Sequence, residues 1–314
     1  MAVSHNPQLD FPTADPDVQR ISLSAGMAAE VASLCDMGCV RQNNEDRVGV
    51  FSLPSGGALL VVADGMGGHA AGEVAAQMAL DAMNEACVVD LAEPLPTALR
   101  LALATANRRI LDQGEANPAQ RGMGTTATAL ALAGEQAWFV HVGDSRLYRL
   151  RNGQLQQLSE DHSLVAEMVR GGMLSEADAV DHPCRNVIVR ALGSDQELRP
   201  QISVEPLSVQ MEDVFLLSSD GLHDQLSPVE LANLLEAPPS IACLALVNLA
   251  RERGGPDNIS AWCVAWSKAD RGLGARPRWV AGSSCEGRSP RLITRFAMDK
   301  VRAPAARSHR PPGL

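Results

Sequence analysis

Three short apolar runs in this chain lead to an aspartate, and a fourth aspartate stands just ahead of another such run. Ala58–Ala63 ends at Asp64, Ala137–Val142 passes through Gly143 to Asp144, Val214–Ser218 ends near Asp220, and Asp257 precedes Ile259–Trp266. Short apolar runs bounded by turn formers read as buried β-strands. Thr125–Ala133 adds a strand by alternation, with Thr126, Thr128, Leu130 and Leu132 on one face. Asn152-Gly153, between Leu147–Arg151 and Gln154–Leu158, predicts a hairpin, because that pair tolerates the positive φ angles of a tight turn.

Helical spacing separates these runs. Val74, Met78, Met83 and Cys87 mark one helix over 73–91, and Leu99, Leu103, Ala106 and Ile110 another over 96–112. Ser227-Pro228-Val229-Glu230 has the form of a capped helix start, and Ser240–Arg253 is a helix stopped by Gly254-Gly255-Pro256. Residues 162–200 carry short helical stretches and few strand signals, as an insertion between core strands would. The polar, Pro-containing residues 1–26 read as a flexible leader, with no secretory signal. Residues 268–314 read as a basic, mostly disordered tail, leaving 27–267 as the folded body.

The charge is divided unevenly. The whole chain has 27 basic and 37 acidic residues, but from Lys268 onward there are 11 basic and 3 acidic ones. An acidic body argues against nucleic acid as the partner and suits the binding of cations. Seven cysteines without paired zinc-site spacing argue against structural zinc, and those inside apolar runs read as reduced thiols of a cytoplasmic protein. No apolar run approaches ~20 residues, so no membrane span is expected.

Aspartate at a strand end is a common turn former. Several gathered at one sheet edge would repel one another unless cations lay between them. Carboxylates without cysteine or histidine suit Mg²⁺ or Mn²⁺, and two such ions side by side activate a water for attack on phosphorus. Asp64 is followed by Gly65-Met66-Gly67-Gly68-His69, where the backbone can approach an ion closely and offer a carbonyl. Glu45 and Asp46 add acids near the start of the body, and Arg41 just before them can grip two phosphate oxygens at once. His69 and His162 lie beside glycines or acids and are candidates for moving a proton, whereas His141, inside a strand, reads as a core residue.

Seven segments together resemble the metal-dependent Ser/Thr phosphatases, the type 2C protein phosphatases, in their bacterial form. They are Val40–Asp46, Val62–His69, Gly124–Thr126, His141–Arg146, Glu160–His162, Leu217–Leu222 and Gly255–Ile259, in the family's order, within about residues 30–267. The resemblance implies an α+β fold, a four-layer α-β-β-α sandwich of two antiparallel sheets flanked by helices. It makes 27–267 the catalytic domain and about 162–200 its flap. It implies that Asp64 bridges two metal ions, with the Gly65 carbonyl, Asp220 and Asp257 completing their ligands. Glu45 or Asp46 would hold metal-bound water, and Asp144 would share a third, weaker ion with Asp220. Arg41 would bind the substrate's phosphate. Met66 departs from the eukaryotic pattern, which has a proton-donating histidine there, so the general acid stays open between His69, His162 and a metal-bound water. The activity implied is hydrolysis of phosphoserine and phosphothreonine by a monomer that opposes a Ser/Thr protein kinase. A phosphoprotein-binding relative without activity would have lost a metal ligand, and none is lost. A two-metal nuclease is disfavoured by the acidic body.

Overall fold

The computed structural model describes residues 14–23, 27–54, 56–67, 71–88 and 94–268. Two antiparallel sheets form its centre. In chain order the strands of the first are β1 (Asp17–Ser22), β2 (Met27–Asp36), β9 (Arg146–Arg151), β10 (Gln154–Gln157), β13 (Val214–Ser218) and β14 (Ile259–Lys268), side by side as β1-β2-β14-β13-β9-β10. The second holds β3 (Arg47–Ser52), β4 (Ala58–Ala63), β7 (Ala127–Ala133), β8 (Gln136–Val142), β11 (Gln201–Ile202) and β12 (Leu207–Ser208). Its spatial order is β11-β8-β7-β4-β3, with β12 also on β8. A two-residue pairing of β5 (Gly65–Met66) with β6 (Gly124–Thr125) sits beyond the end of β4.

Both faces of each sheet are covered. In β4 all six residues are buried. Leu59, Val61 and Ala63 face α1 (Ala71–Val88) and α2 (Leu95–Ala116), while Leu60 and Val62 face the other sheet. The inter-sheet layer includes Phe215, Leu217, Leu130, Leu132 and Trp262. The Trp262 indole N–H crosses that layer to the Val61 carbonyl at 3.0 Å, so the one polar atom of the largest fully buried side chain is satisfied by the opposite sheet. On the far side of the first sheet α6 (Pro228–Leu235) and α7 (Pro239–Glu252) bury Leu231, Leu234, Leu246 and Leu249. Helices, sheet, sheet and helices make the four layers expected.

Local chemistry fixes several boundaries. Both arms of the capping box at Ser227 and Glu230 are formed, and Pro228 opens α6. The β9–β10 hairpin turns through Asn152 at φ +51° and Gly153 at φ +73°. The insertion contains α3 (Leu164–Arg170) and α4 (Glu176–Val180), each capped by a serine, Ser163 and Ser175.

The flexible leader needs correction. Asp17–Ser22 is an ordered edge strand, paired in register from Asp17 opposite Ser33 to Ser22 opposite Ala28. An edge strand is held by backbone hydrogen bonds and needs little apolar pattern, which is why a polar stretch can form one. Residues 1–13 and 24–26, and the tail beyond Lys268, lie outside the described residues.

Candidate metal centre

The candidate ligands come from both sheets and from the crossings between them. Asp64 follows β4. Asp46 immediately precedes β3, at the end of the crossing from β2. Asp144 lies in the crossing from β8 to β9. Asp220 opens the short helix α5 (Asp220–His223) just after β13, and Asp257 lies just before β14.

Polar side chains hold these loops in place. The Asp64 carbonyl accepts the Thr125 hydroxyl at 2.9 Å and the Thr126 amide at 2.8 Å, and the Asp64 amide donates to the Thr126 hydroxyl at 2.9 Å. Asn258, 5% exposed, ties the loop before β14 to three points of the crossing from β2 to β3. Its Oδ1 accepts the Glu45 amide at 2.9 Å, and its Nδ2 donates to the Met37 and Asn43 carbonyls, both at 3.0 Å. Its own amide donates to Asp257 Oδ1 at 2.8 Å. Two glycines allow the backbone to close up. A Cβ on Gly65 would lie 2.2 Å from the Gly72 carbonyl oxygen and 2.7 Å from that of Glu45, and a Cβ on Gly221 would lie 2.1 Å from the Asn258 carbonyl oxygen. Asp220-Gly221 is thus a helix start that needs glycine for close approach to the Asp257 loop, where the dipeptide alone suggests an ordinary turn.

The carboxylates face one another. Loss of water is the largest influence on each, and raises Asp46 to about 6, Asp144 to about 7 and Asp220 to about 8. The negative charge of Asp144, then of Asp257 and Asp46, adds to the rise at Asp220. Asp64 is driven well above the usual carboxylate range by burial and then by Asp46, Asp220, Asp144 and Asp257 together. One oxygen each of Asp46, Asp144 and Asp220 is buried without a hydrogen-bond partner. Buried carboxylate oxygens left unpaired beside like charges are a costly arrangement that cations relieve. Among the described residues no three His, Cys, Asp or Glu side chains form a ready-made ligand set for one ion. A hard cation that keeps several waters, as Mg²⁺ and Mn²⁺ do, fits this better than one enclosed by protein ligands. The residues present fit such ions.

Other sequence candidates fall in distinct places. Asp46, 1% exposed, faces Asp64 and accepts the Ser219 hydroxyl at 2.7 Å, while Glu45 is only partly buried and turns its backbone to Gly65. Arg41 is half exposed, with Nη2 2.6 Å from Asp257 Oδ2, so its guanidinium reaches the cleft's rim. His69 lies outside the described residues. His162 is buried, and its Nδ1 accepts the Gly143 amide at 3.1 Å. His141 is a core residue, with no exposed surface. Arg146, two residues after Asp144, does not pair with it. Arg146 instead makes a bidentate contact to Asp161 at 2.6–3.0 Å, because Asp144 belongs to the turn before β9 and does not share its strand periodicity. Sequence reasoning missed Asn258 and Asp224. Asp224 adds its charge to both Asp144 and Asp220, and its spacing of four from Asp220 on a helical start is the signal that could have found it.

A carboxylate cleft with unpaired oxygens and an arginine at its rim, at the open edge of a two-sheet sandwich, belongs to the class of divalent-cation-dependent phosphoric ester hydrolases. The family model for Protein phosphatase 2C matches residues 40–254, and the chain belongs to that family. It is a metal-dependent serine/threonine protein phosphatase. The chain is 39% identical over 246 residues to the serine/threonine phosphatase stp of Listeria welshimeri, covering 76% of this chain and 97% of that one. The catalytic domain of the phosphatase PstP, solved with two manganese ions, matches at 36% identity and a TM-score of 0.68, over 76% of this chain and 99% of that one. PppA, a key regulatory component of the T6SS in Pseudomonas aeruginosa, matches at 36% identity and a TM-score of 0.66, over 79% and 100%.

Proposed function

We propose that this cleft hydrolyses phosphoserine and phosphothreonine of other proteins with two Mg²⁺ or Mn²⁺ ions centred on Asp64. The observation that carries the reading is the set of buried, unpaired oxygens on Asp46, Asp144 and Asp220 around Asp64. Asp64, the Gly65 carbonyl, Asp220 and Asp257 would hold the two ions, Asp46 and Glu45 would orient water at them, and Asp144 with Asp220 would hold a third, weaker ion. Bound there, the ions supply an activated water and a counter-charge for the phosphoryl oxygens. Arg41, half exposed and paired with Asp257, would grip two oxygens of the incoming phosphate. Asp46 keeps its carboxylate fixed through Ser219 and the Asn44 side chain, which accepts the Asp46 amide at 3.1 Å. Beside Asp144 and Asp220 the flap at about 162–200 lines a 740 Å³ cavity, with Val165, Val169 and Val180 on its wall, and would meet there the polypeptide that carries the phosphate.

The candidate ligands named above all belong to one copy of the chain, so the proposed chemistry needs no second copy and a monomer is proposed. Six free cysteines among the described residues support a reducing compartment, the cytoplasm. No helix of the described residues is long and apolar enough to cross a membrane. A serine/threonine kinase acting on the same substrates is the partner this activity requires. The test is turnover of a phosphothreonine peptide with Mn²⁺ or Mg²⁺, with and without a chelator, beside a DNA strand as competing substrate. Peptide turnover that depends on the ion is expected; full turnover in excess chelator overturns the two-ion reading.

A further inference from the structure

His162 is 3% exposed and stands where the chain enters the flap. Its backbone and ring both grasp one residue. The His162 amide donates to the Gly143 carbonyl at 2.8 Å, and the Gly143 amide donates to His162 Nδ1 at 3.1 Å. A backbone N–H can only donate, so Nδ1 must be the unprotonated nitrogen of a neutral ring. Gly143 is the residue before Asp144. On the other side of Asp144, the Ser145 hydroxyl is 2.8 Å from that of Thr126, which also holds Asp64. Asp144 is therefore gripped from both neighbours, and the grip on one side is His162.

The ring is itself held. It stacks on His141 with centroids 4.9 Å apart, and His141 is fixed by the Thr128 hydroxyl at 2.8 Å and the Glu160 carbonyl at 3.1 Å. Burial first, then Arg190 and Arg170, push His162 down to about 4 against the opposing pull of Asp161 and Glu167, so the acceptor lone pair is kept at neutral pH. The His162 carbonyl also accepts the Val189 amide at 2.8 Å, and Ser163 bridges to Ile188, so the same residue starts the pairing that closes the flap's base.

We propose that His162 is a positioning residue: its Nδ1 holds the Gly143 amide, fixing the turn that presents Asp144 and joining that turn to the flap, and it donates no proton to the reaction. The consequence for metal demand rests on the ligand role proposed for Asp144; the positioning itself does not. Three substitutions separate the roles. Asn places Oδ1 on Cγ, where the imidazole carries Nδ1, so His162→Asn keeps the acceptor and loses any proton donor. His162→Gln carries its amide one bond farther out, and His162→Leu removes polarity.

The experiment combines amide exchange at Gly143 in the metal-free full chain with steady-state kinetics on a phosphothreonine peptide, whose alkoxide leaving group needs a proton, across a Mn²⁺ titration. His162→Asn is expected to keep Gly143 protection and kcat within about twofold to threefold of the wild type. His162→Gln and His162→Leu are expected to lose Gly143 protection tenfold or more, and to need at least fivefold more Mn²⁺ for half-maximal rate while kcat recovers at saturating ion. If the leucine variant does not fold, the glutamine variant carries the comparison. A hundredfold fall in kcat for His162→Asn at unchanged Mn²⁺ demand would overturn the proposal in favour of proton donation. Unchanged Gly143 protection in both other variants would overturn it outright. Asp144→Ala serves as the reference: if it leaves Mn²⁺ demand unchanged while Gly143 still loosens in the His162 variants, the ligand role of Asp144 is wrong and the positioning role stands.

Discussion

The metal-free protein should become less stable as the pH rises from 6.5 to 8, and Mn²⁺ should remove that loss. Asp46, Asp144 and Asp220 hold a proton in the fold up to about 6, 7 and 8, and Asp64 higher than its ordinary value. In the unfolded chain each ionises near ~3.9. A carboxyl raised by folding binds protons preferentially in the native state, so its stabilisation is present at low pH and is lost as pH rises through the folded value. Between pH 6.5 and 8 the loss from the first three carboxyls is about 3 kcal/mol, most of it from Asp220 and then Asp144. The buried histidines act oppositely. His141 and His162 are lowered to about 3 and 4 and His223 well below its usual value, all chiefly by burial. Their unfolded forms take up protons near ~6.5, which costs about 1 kcal/mol at pH 6.5 relative to pH 8. The net loss on raising the pH is about 2 kcal/mol, or roughly 4–8 °C in Tm for a domain of this size. Melting followed by circular dichroism in chelator and in excess Mn²⁺, at pH 6.5 and 8, measures it. Ions bind deprotonated carboxylates, so the Mn²⁺-induced rise in Tm should be larger at pH 8. A metal-free Tm that is flat or climbs over this interval would refute the shared-burial account of the four aspartates.

Three further outcomes follow from the same geometry. Arg41→Ala should raise KM for a phosphopeptide more than it lowers kcat if, as proposed, the guanidinium meets the phosphate in the ground state as well; unchanged KM with a collapsed kcat contradicts that. Asp144→Ala should lower turnover at least tenfold, about 1.4 kcal/mol in barrier, while calorimetry still finds two tight Mn²⁺ sites; Asp220→Asn should be worse, and wild-type kcat for Asp144→Ala at all Mn²⁺ concentrations would remove the third-ion role. Deleting residues through Ser22 should lower Tm by exposing the edge of β2, yet leave kcat within about twofold, because β1 lies at the sheet edge and contributes no residue to the cleft; unaltered melting would mean that β1 adds nothing to the sheet.

Much of this arrangement can be read in the sequence because it is local. Apolar runs bounded by turn formers give β4, β8, β13 and β14, Asn152-Gly153 gives the hairpin, and Ser227 with Glu230 gives the start of α6. The acids at those strand ends are visible for the same reason. What stays hidden depends on partners far along the chain. Asn258 reads as one polar residue in a loop, but its work is done on Met37, Asn43 and Glu45, more than 200 positions away. The pairing of Arg146 with Asp161 in preference to Asp144 depends on where a turn ends and a strand begins, the kind of boundary that periodicity defines least well. β1 has only Val18 and Ile21 to mark it, and its order comes from the backbone of β2.

The cleft sits where it does because the chain changes sheets there. Asp64 belongs to the second sheet, Asp220 and Asp257 to the first, and the segments carrying Asp46 and Asp144 are the crossings from β2 to β3 and from β8 to β9. Their carboxylates can face one another only if the two sheets keep one offset, so inter-sheet packing is part of the site. The Trp262 to Val61 hydrogen bond, set among Leu60, Val62, Phe215 and Leu217, pins that offset near the strands that end at Asp64 and begin after Asp257. The repulsion among the acids works against the same packing, and the ion-free fold has to hold them together by core burial and by Thr125, Thr126, Ser219 and Asn258. Cations bound among these acids would relieve that repulsion, and a sandwich held together by its core could so keep a dense acidic centre ready for ions.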